Sequence, residues 1–182
     1  DRSSDGSVTL GTVEVSIPPQ HRTGQIERPS LISLEFSADP ERHMILKSIN
    51  PLASKTFFQQ LNSRVDESRE KDLFVFVHGY NVSFEDAALR TAQLAYDLEF
   101  KGAPVFFSWP SEAKLWRYNV DEGNVEWRFR HLAKFLQELA KNSGAQKIHL
   151  IAHSMGSRAL TNALALLVET KAIEIPRFQQ VI

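Results

Sequence analysis

The sequence predicts an α/β fold in which a mostly parallel sheet has helices on both of its faces. Three observations support this prediction. Short apolar runs indicate buried strands, and amphipathic segments long enough for helices lie between them. Two of those segments end near Gly102 and Gly144, and glycine commonly follows the last turn of a helix. Strands and helices that alternate in this order form parallel sheets.

The first part of the chain, residues 1–64, is predicted to be a strand-rich entry segment. Three apolar runs in it indicate strands, at residues 8–18, 31–36 and 43–49. From Val13 to Ile17 apolar and polar residues alternate, which is typical of a half-buried strand. A short helix is predicted over residues 54–62. The stretch 66–72 mixes acidic and basic residues and is interpreted as a solvated connection.

Residues 73–182 are predicted to form the alternating core of a single domain that includes the whole chain, 1–182. Four strands are predicted, at residues 73–77, 103–109, 147–152 and from 177 onward. The first helix between them is predicted to be capped by Ser83, because acidic residues in its first turn complement the helix dipole. The second runs to about Asn142, and leucines at helical spacing indicate a third after residue 154.

The chemistry of such sheets is found at the carboxyl ends of their strands. Three strand ends in this chain stand out: HGYN at 78–81, SWPS at 108–111 and HSMG at 153–156. Residues 152–156 read AHSMG and match the G-x-S-x-G nucleophile elbow, in which a serine occupies a sharp turn from strand to helix. The positions two before and two after the serine must be small, and here they are Ala152 and Gly156.

Ser154 is therefore the predicted nucleophile. The alternative is that Ser154 only caps the helix that follows it. We favour the nucleophile because the motif follows an apolar strand, begins an amphipathic helix and is accompanied by the HGYN motif.

A nucleophilic serine needs two backbone N–H groups that stabilise the developing oxyanion. One is supplied by the residue after the nucleophile, here Met155, and the other by a loop after an earlier strand, for which Tyr80 is the candidate. Gly79 would let the backbone approach the substrate, whereas His78 is expected to be a packed, hydrogen-bonded residue. The supporting motif residues are His78, Gly79, Asn81, His153 and Gly156.

Two further features have open interpretations. Trp109 is the last residue of the second predicted strand of the core and is either the wall of an acyl pocket or a buried aromatic residue. The long segment 110–124 is rich in aromatic and basic residues, and it is either a lid over the site or a surface loop.

The segments FVFVHGYNVSFEDAALRTAQLAYDL, VFFSWPS and IHLIAHSMGSRAL, with Tyr118 and Asp121 between the last two, resemble the α/β-hydrolase superfamily. In detail they resemble its bacterial family called "alpha/beta hydrolase of unknown function", which is related to predicted esterases and lipases. The stretch VSIPPQHRTGQIERP resembles the entry segment of that family. The resemblance implies a fold of α/β-hydrolase type and a serine hydrolase that cleaves small-molecule or lipid esters through an acyl-enzyme.

In these hydrolases the catalytic acid and histidine follow the serine in the chain. No aspartate and no histidine follows Ser154 here, and the side chain of His153 on an extended strand is expected to point away from the hydroxyl. We therefore expect a domain that is incomplete at its C-terminus, cut off after the strand that should precede the acid. The base and acid would come from beyond residue 182, and this chain alone would be inactive or weakly active.

Other function classes are weighed by composition. The net charge of −1, with both signs scattered, gives no support for nucleic-acid binding. The absence of cysteine excludes thiolate catalysis, and no metal-ligand or nucleotide-binding motif is present, so no metal and no cofactor are predicted. No apolar stretch is long enough for a membrane helix. Cytoplasmic and exported locations stay open, as do thioester or amide cleavage and a non-catalytic binding module on the same scaffold.

Overall fold

The computed structural model describes residues 8–29, 37–109, 122–172 and 178–182, and of residues 122–128 it describes the backbone alone. The elements in chain order are β1 Leu10–Ser16, β2 Ile45–Leu52, α1 Ser54–Asp66, β3 Asp72–Val77, α2 Phe84–Asp97, β4 Ala103–Phe107, α3 Glu122–Asn142, β5 Lys147–Ala152, α4 Met155–Glu169 and β6 Phe178–Val181. The predicted strand at 31–36 and residues 110–121 of the predicted lid, with Tyr118 and Asp121, lie outside the described residues.

The main sheet has four parallel strands in the order β4-β3-β5-β6. Val75 in β3 is opposite Val105 in β4 on one side and Leu150 in β5 on the other. Strands β1 and β2 form a separate antiparallel pair. The predicted mostly parallel sheet is confirmed.

Helices cover both faces of this sheet. On one face, Leu73, Val75 and Val77 belong to one buried cluster with apolar residues of α1, α3 and α4, among them Leu61, Leu136 and Leu160. Phe74 and Phe76 alternate with them in β3, so they point to the opposite face, and both are buried. Helix α2 covers that face, where its Phe84 contacts Phe106 and the following Phe100 contacts Phe74.

Two predictions for the segment before β3 are corrected. Helix α1 continues one turn past residue 62, because Val65 extends its buried stripe and is 1% exposed. The stretch 66–72 is not solvated throughout: Ser68 is buried and its hydroxyl donates a hydrogen bond to Asp72 at 2.7 Å. Because the backbone oxygen of Lys71 also accepts a bond from Gln146 at 2.7 Å, this connection is fixed to the start of β5.

Within the described ranges, no helix is both long and apolar enough to cross a bilayer.

Candidate active site

Ser154 occupies the turn between β5 and α4. Its backbone has φ 57° and ψ −125°, a conformation that residues with a Cβ atom rarely adopt. The residue is exposed, and its side chain makes no capping hydrogen bond to α4. Ser154 is thus the N-cap residue of α4 by position, but its side chain does not cap the helix and its hydroxyl is available for other contacts.

Ser83 shows what a capping serine looks like in the same molecule. Its hydroxyl accepts a hydrogen bond from the N–H of Asp86 at 3.0 Å and donates one to the Asp86 carboxylate at 2.7 Å. The carboxylate also accepts from the N–H of Ser83, which completes a capping box at the start of α2. The predicted cap of α2 is confirmed.

Gly156 makes the sharp turn at Ser154 possible. A Cβ atom on Gly156 would lie 2.4 Å from the Val77 oxygen and 2.6 Å from the His78 oxygen, so only glycine fits. The N–H of Gly156 donates to the His153 oxygen at 3.0 Å, and the N–H of His153 donates to the Val77 oxygen at 3.2 Å. The turn is therefore attached directly to the end of β3.

Gly79 brings the HGYN motif against the serine. It is buried, and a Cβ atom on it would lie 3.0 Å from the Cβ of Ser154 and 2.9 Å from the His153 oxygen. This Cβ position on Gly79 also lies 3.5 Å from Nδ1 of His153. The exposed imidazole of His153 is therefore on the side of Gly79 that faces Ser154. Two motifs 75 residues apart in the chain thus meet at one place.

The candidate oxyanion donors flank this contact. Met155 is the first residue of α4 and is half-buried. The two N–H groups that follow it donate to backbone oxygens at 3.0 Å, whereas the N–H of a first helical residue has no partner within the helix. Tyr80 follows Gly79 and is half-buried, and Asn81 is exposed with φ 56°. The convergence of the two N–H groups stays a prediction.

His78 is fully buried and joins the ends of β3 and β4. Its Nδ1 donates a hydrogen bond to the backbone oxygen of Gly79 at 2.8 Å. Its Nε2 therefore carries no proton and accepts a hydrogen bond from the backbone N–H of Trp109 at 3.2 Å. Ser108 also contacts Nε2 at 3.2 Å, and sequence reasoning gave this serine no role. His78 is packed and hydrogen-bonded as expected, and its nitrogens are occupied.

Trp109 is 5% exposed and stacks on His78, with the ring centroids 4.2 Å apart. These contacts are typical of a buried aromatic residue, and its role as a pocket wall stays a prediction. A cavity of about 540 Å³ lies between β1 and β4, and its described lining includes neither Trp109 nor Ser154. Its walls are mostly apolar, and it reaches Ser108 at the carboxyl end of β4.

Among the described residues no imidazole is hydrogen-bonded to the Ser154 hydroxyl, although that of His153 lies on the same side of Gly79. The His21 imidazole contacts the carboxylates of Glu27 and Asp97, and it lies at the end of α2. Ser154 lies near the other end of that helix, roughly 20 Å away for its 14 residues. His149 lies within β5, and its buried Nδ1 has no hydrogen-bond partner. The described residues also contain no cluster of His, Asp and Glu that could hold a metal ion.

Comparison with known proteins agrees with the fold described above. A family model described as "Alpha/beta hydrolase of unknown function (DUF900)" matches residues 53–182. The "Uncharacterized protein alr1448" of Nostoc sp. (strain PCC 7120 / SAG 25.82 / UTEX 2576) is 29% identical in a match that covers 59% of this chain and 34% of that protein. The match thus spans about a third of the relative. No solved structure matches. The chain belongs to the alpha/beta hydrolase family of unknown function.

Proposed function

We propose that this chain contains the nucleophile and oxyanion half of a serine hydrolase that cleaves carboxylic esters. One observation is the main support: Ser154 has a strained backbone, an exposed side chain and no capping hydrogen bond. A serine that served only the helix would resemble Ser83, whose hydroxyl is bonded within its capping box. Strained residues of this kind cluster at active sites.

The proposed reaction follows from the position of each group. The Ser154 oxygen attacks the ester carbonyl carbon while its proton passes to a base. The carbonyl oxygen becomes an oxyanion, which the N–H groups of Met155 and Tyr80 stabilise. The oxyanion then collapses, the alcohol leaves with the proton from the base, and an acyl-enzyme is formed. Water, activated by the same base, attacks the acyl-enzyme and releases the carboxylic acid and the free serine.

We expect the histidine base and its acid to come from residues outside 1–182. Among the described residues no histidine is hydrogen-bonded to the Ser154 hydroxyl, and a neutral hydroxyl is a poor nucleophile without a base. The substrate is proposed to carry an apolar acyl group. The mostly apolar cavity that reaches Ser108 supports this part of the proposal, because pockets of about 300–1,000 Å³ with apolar walls are typical of ligand sites.

The test uses the full-length gene product and a chromogenic carboxylic ester. Ser154→Ala should lower kcat by about 10³-fold or more, because the acyl-enzyme can no longer form. Ser83→Ala is the matched control: it removes a serine at the start of α2 and should leave kcat within about twofold after allowance for unfolded protein. Unchanged turnover in Ser154→Ala would end the serine-hydrolase proposal and favour a non-catalytic module.

A further inference from the structure

His21 is buried between two carboxylates. Its side chain is 2% exposed, its Nδ1 lies 2.9 Å from Oε2 of Glu27, and its Nε2 lies 2.9 Å from Oδ1 of Asp97. An ionised carboxylate can only accept hydrogen bonds, so both ring nitrogens must donate. Only the protonated imidazolium has an N–H on each nitrogen. The geometry therefore requires a buried positive charge at His21.

The two carboxylates also hold the backbone around His21. Asp97 accepts the N–H of Gly24 at 2.7 Å, and Glu27 accepts the N–H of Arg22 at 2.8 Å. Asp97 is the last residue of α2, whereas the other four residues belong to the loop that follows β1. The contacts between His21 and Asp97 thus join parts of the chain that are 76 residues apart.

This loop, which we call the strap and define as residues 21–28, is attached to both ends of α2. Its His21 end contacts Asp97 at the C-terminus of the helix. At its other end, Arg28 forms an ion pair with Asp86, the acidic member of the α2 capping box. The Arg28 pair is exposed, so its contribution to stability is small. The buried His21 end is the stronger attachment.

We propose that His21, Glu27 and Asp97 form a proton-binding clasp that fastens the strap to α2 more tightly while His21 is protonated. A neutral imidazole keeps one N–H, so its second nitrogen would present a lone pair to a carboxylate oxygen at 2.9 Å. Asp97 would keep its bonds from Gly24 and Gln93, and Glu27 would keep one from Arg22. Loss of the proton therefore removes a contact on which the strap depends.

The pKa shifts agree with this geometry. Burial lowers the pKa of His21, but the hydrogen bonds and charges of Glu27 and Asp97 raise it more, so the net pKa lies above 6.5. Burial raises the pKa of Glu27, but the Arg22 N–H and His21 bring it below 4.5. The Gly24 N–H is the largest cause of the Asp97 pKa lying below 3.8.

The sign of the pH dependence follows from these shifts. The stabilisation from His21 is fully present below pH 6.5 and is lost as the pH rises through its raised pKa. That from the carboxylates is fully present above pH 4.5 and is lost as the pH falls through their lowered pKa values. The clasp is therefore strongest between pH 4.5 and 6.5 and opens on the alkaline side.

The groups next to the clasp do not supply the positive charge that His21 loses when it is deprotonated. The edge of the His21 ring contacts the Tyr96 ring of α2 at 5.2 Å, and Gln93 donates to Asp97 from the preceding turn. Glu99 and Lys101 are the charged residues that line, with Asp97, a cavity of about 440 Å³ at this end of the helix. Their opposite charges offset one another beside the site.

The test measures hydrogen exchange of strap peptides in the full-length protein from pH 5.5 to 9, with rates corrected for intrinsic exchange. The opening constant of the strap should be flat below pH 6.5, should rise by up to about tenfold per pH unit between pH 6.5 and the raised pKa of His21, and should level off above that pKa. Peptides from α4 serve as the internal reference, because α4 lies on the opposite face of the sheet. A strap opening constant that does not change with pH would overturn the proposal.

Variants separate the clasp from general destabilisation. In His21→Gln the strap should be open to the same extent at every pH, and it should be more open than the wild type at pH 6. Glu27→Gln removes one negative charge and leaves Asp97 in place, so the pKa of His21 in the closed strap is raised less and the rise in opening should be smaller and should level off at a lower pH than in the wild type. His153→Gln, at an exposed histidine, should behave as the wild type. A Glu27→Gln profile that coincides with the wild-type profile would contradict the clasp even if His21→Gln failed to fold.

Discussion

Gly79 lies directly against Ser154: a Cβ atom on the glycine would be 3.0 Å from the Cβ of the serine. This contact joins the loop after β3 to the turn after β5, which are neighbouring strands of the sheet. It places Tyr80, the next residue, beside the proposed nucleophile. The proposed site depends on this packing. Each of the next four predictions changes one residue at or near this contact.

Gly79→Ala should lower kcat/KM of the full-length enzyme by roughly 10² fold, because its methyl group would displace the serine or the loop by several tenths of an ångström. Stability should fall by about 1–3 kcal/mol. Ester turnover and denaturant unfolding together give both quantities. Gly144→Ala is the control, since that glycine has φ 61° and precedes the start of β5, whereas Ser154 follows the end of that strand: it should lose stability and keep kcat/KM. Equal kinetic effects in both variants would show that Gly79 has no special role.

Gly156→Ala should destabilise the fold by about 3 kcal/mol or more, because the added methyl group would overlap backbone oxygens of β3 that cannot move independently of the sheet. The free energy of unfolding in urea measures this cost. Ser157→Ala is the neighbouring control, at an exposed position of the same helix turn, and should change stability by less than about 0.5 kcal/mol. A Gly156→Ala protein as stable as Ser157→Ala would contradict the close packing of α4 on β3.

Ser154→Gly should stabilise the protein by about 1 kcal/mol relative to Ser154→Ala, because glycine adopts φ 57° without steric cost and alanine retains the Cβ atom. The same pair at Ser157, an exposed position with ordinary helical backbone, should have the opposite sign, with alanine about 0.5–1 kcal/mol more stable than glycine. Thermal unfolding of the four variants makes the comparison. If alanine is as stable as glycine at position 154, the turn at Ser154 is not strained.

His78→Ala should cost about 3 kcal/mol of stability, because it removes a fully buried ring and leaves the Trp109 N–H without its acceptor. His153→Ala, at an exposed histidine in the partner motif, should cost less than about 0.5 kcal/mol. Chemical denaturation distinguishes the two. Similar losses would mean that the two imidazoles do not differ in burial and bonding as described.

Much of the fold was predictable because its signals are local. The apolar run at 73–77 and the strand at 147–152 match β3 and β5 to within one residue. The turn at Ser154 was predictable because the pattern of small residues around it is a requirement of the sharp turn itself. The predicted end of α1 came one turn too early, because Val65 is the one apolar residue in the last turn of that helix.

Contacts between distant residues were not predictable in the same way. Nothing near His21 in the sequence indicates that Asp97 will lie 2.9 Å from its ring, since the strap and the end of α2 meet only after folding. Ser108 is a similar case: it contacts His78 because β3 and β4 are parallel neighbours that end at the same edge of the sheet. The SWPS motif marked that strand end but gave the serine no partner.

The most direct test of the central claim is covalent labelling of the full-length protein with an alkyl fluorophosphonate, followed by mass spectrometry of the peptide that contains Ser154. The account predicts one added phosphonyl group per molecule, located on Ser154, with loss of fluoride and of ester turnover in parallel. Ser83 and Ser157 serve as internal controls and should stay unmodified. Labelling that occurs on another serine, or full turnover in protein modified at Ser154, would contradict Ser154 as the nucleophile.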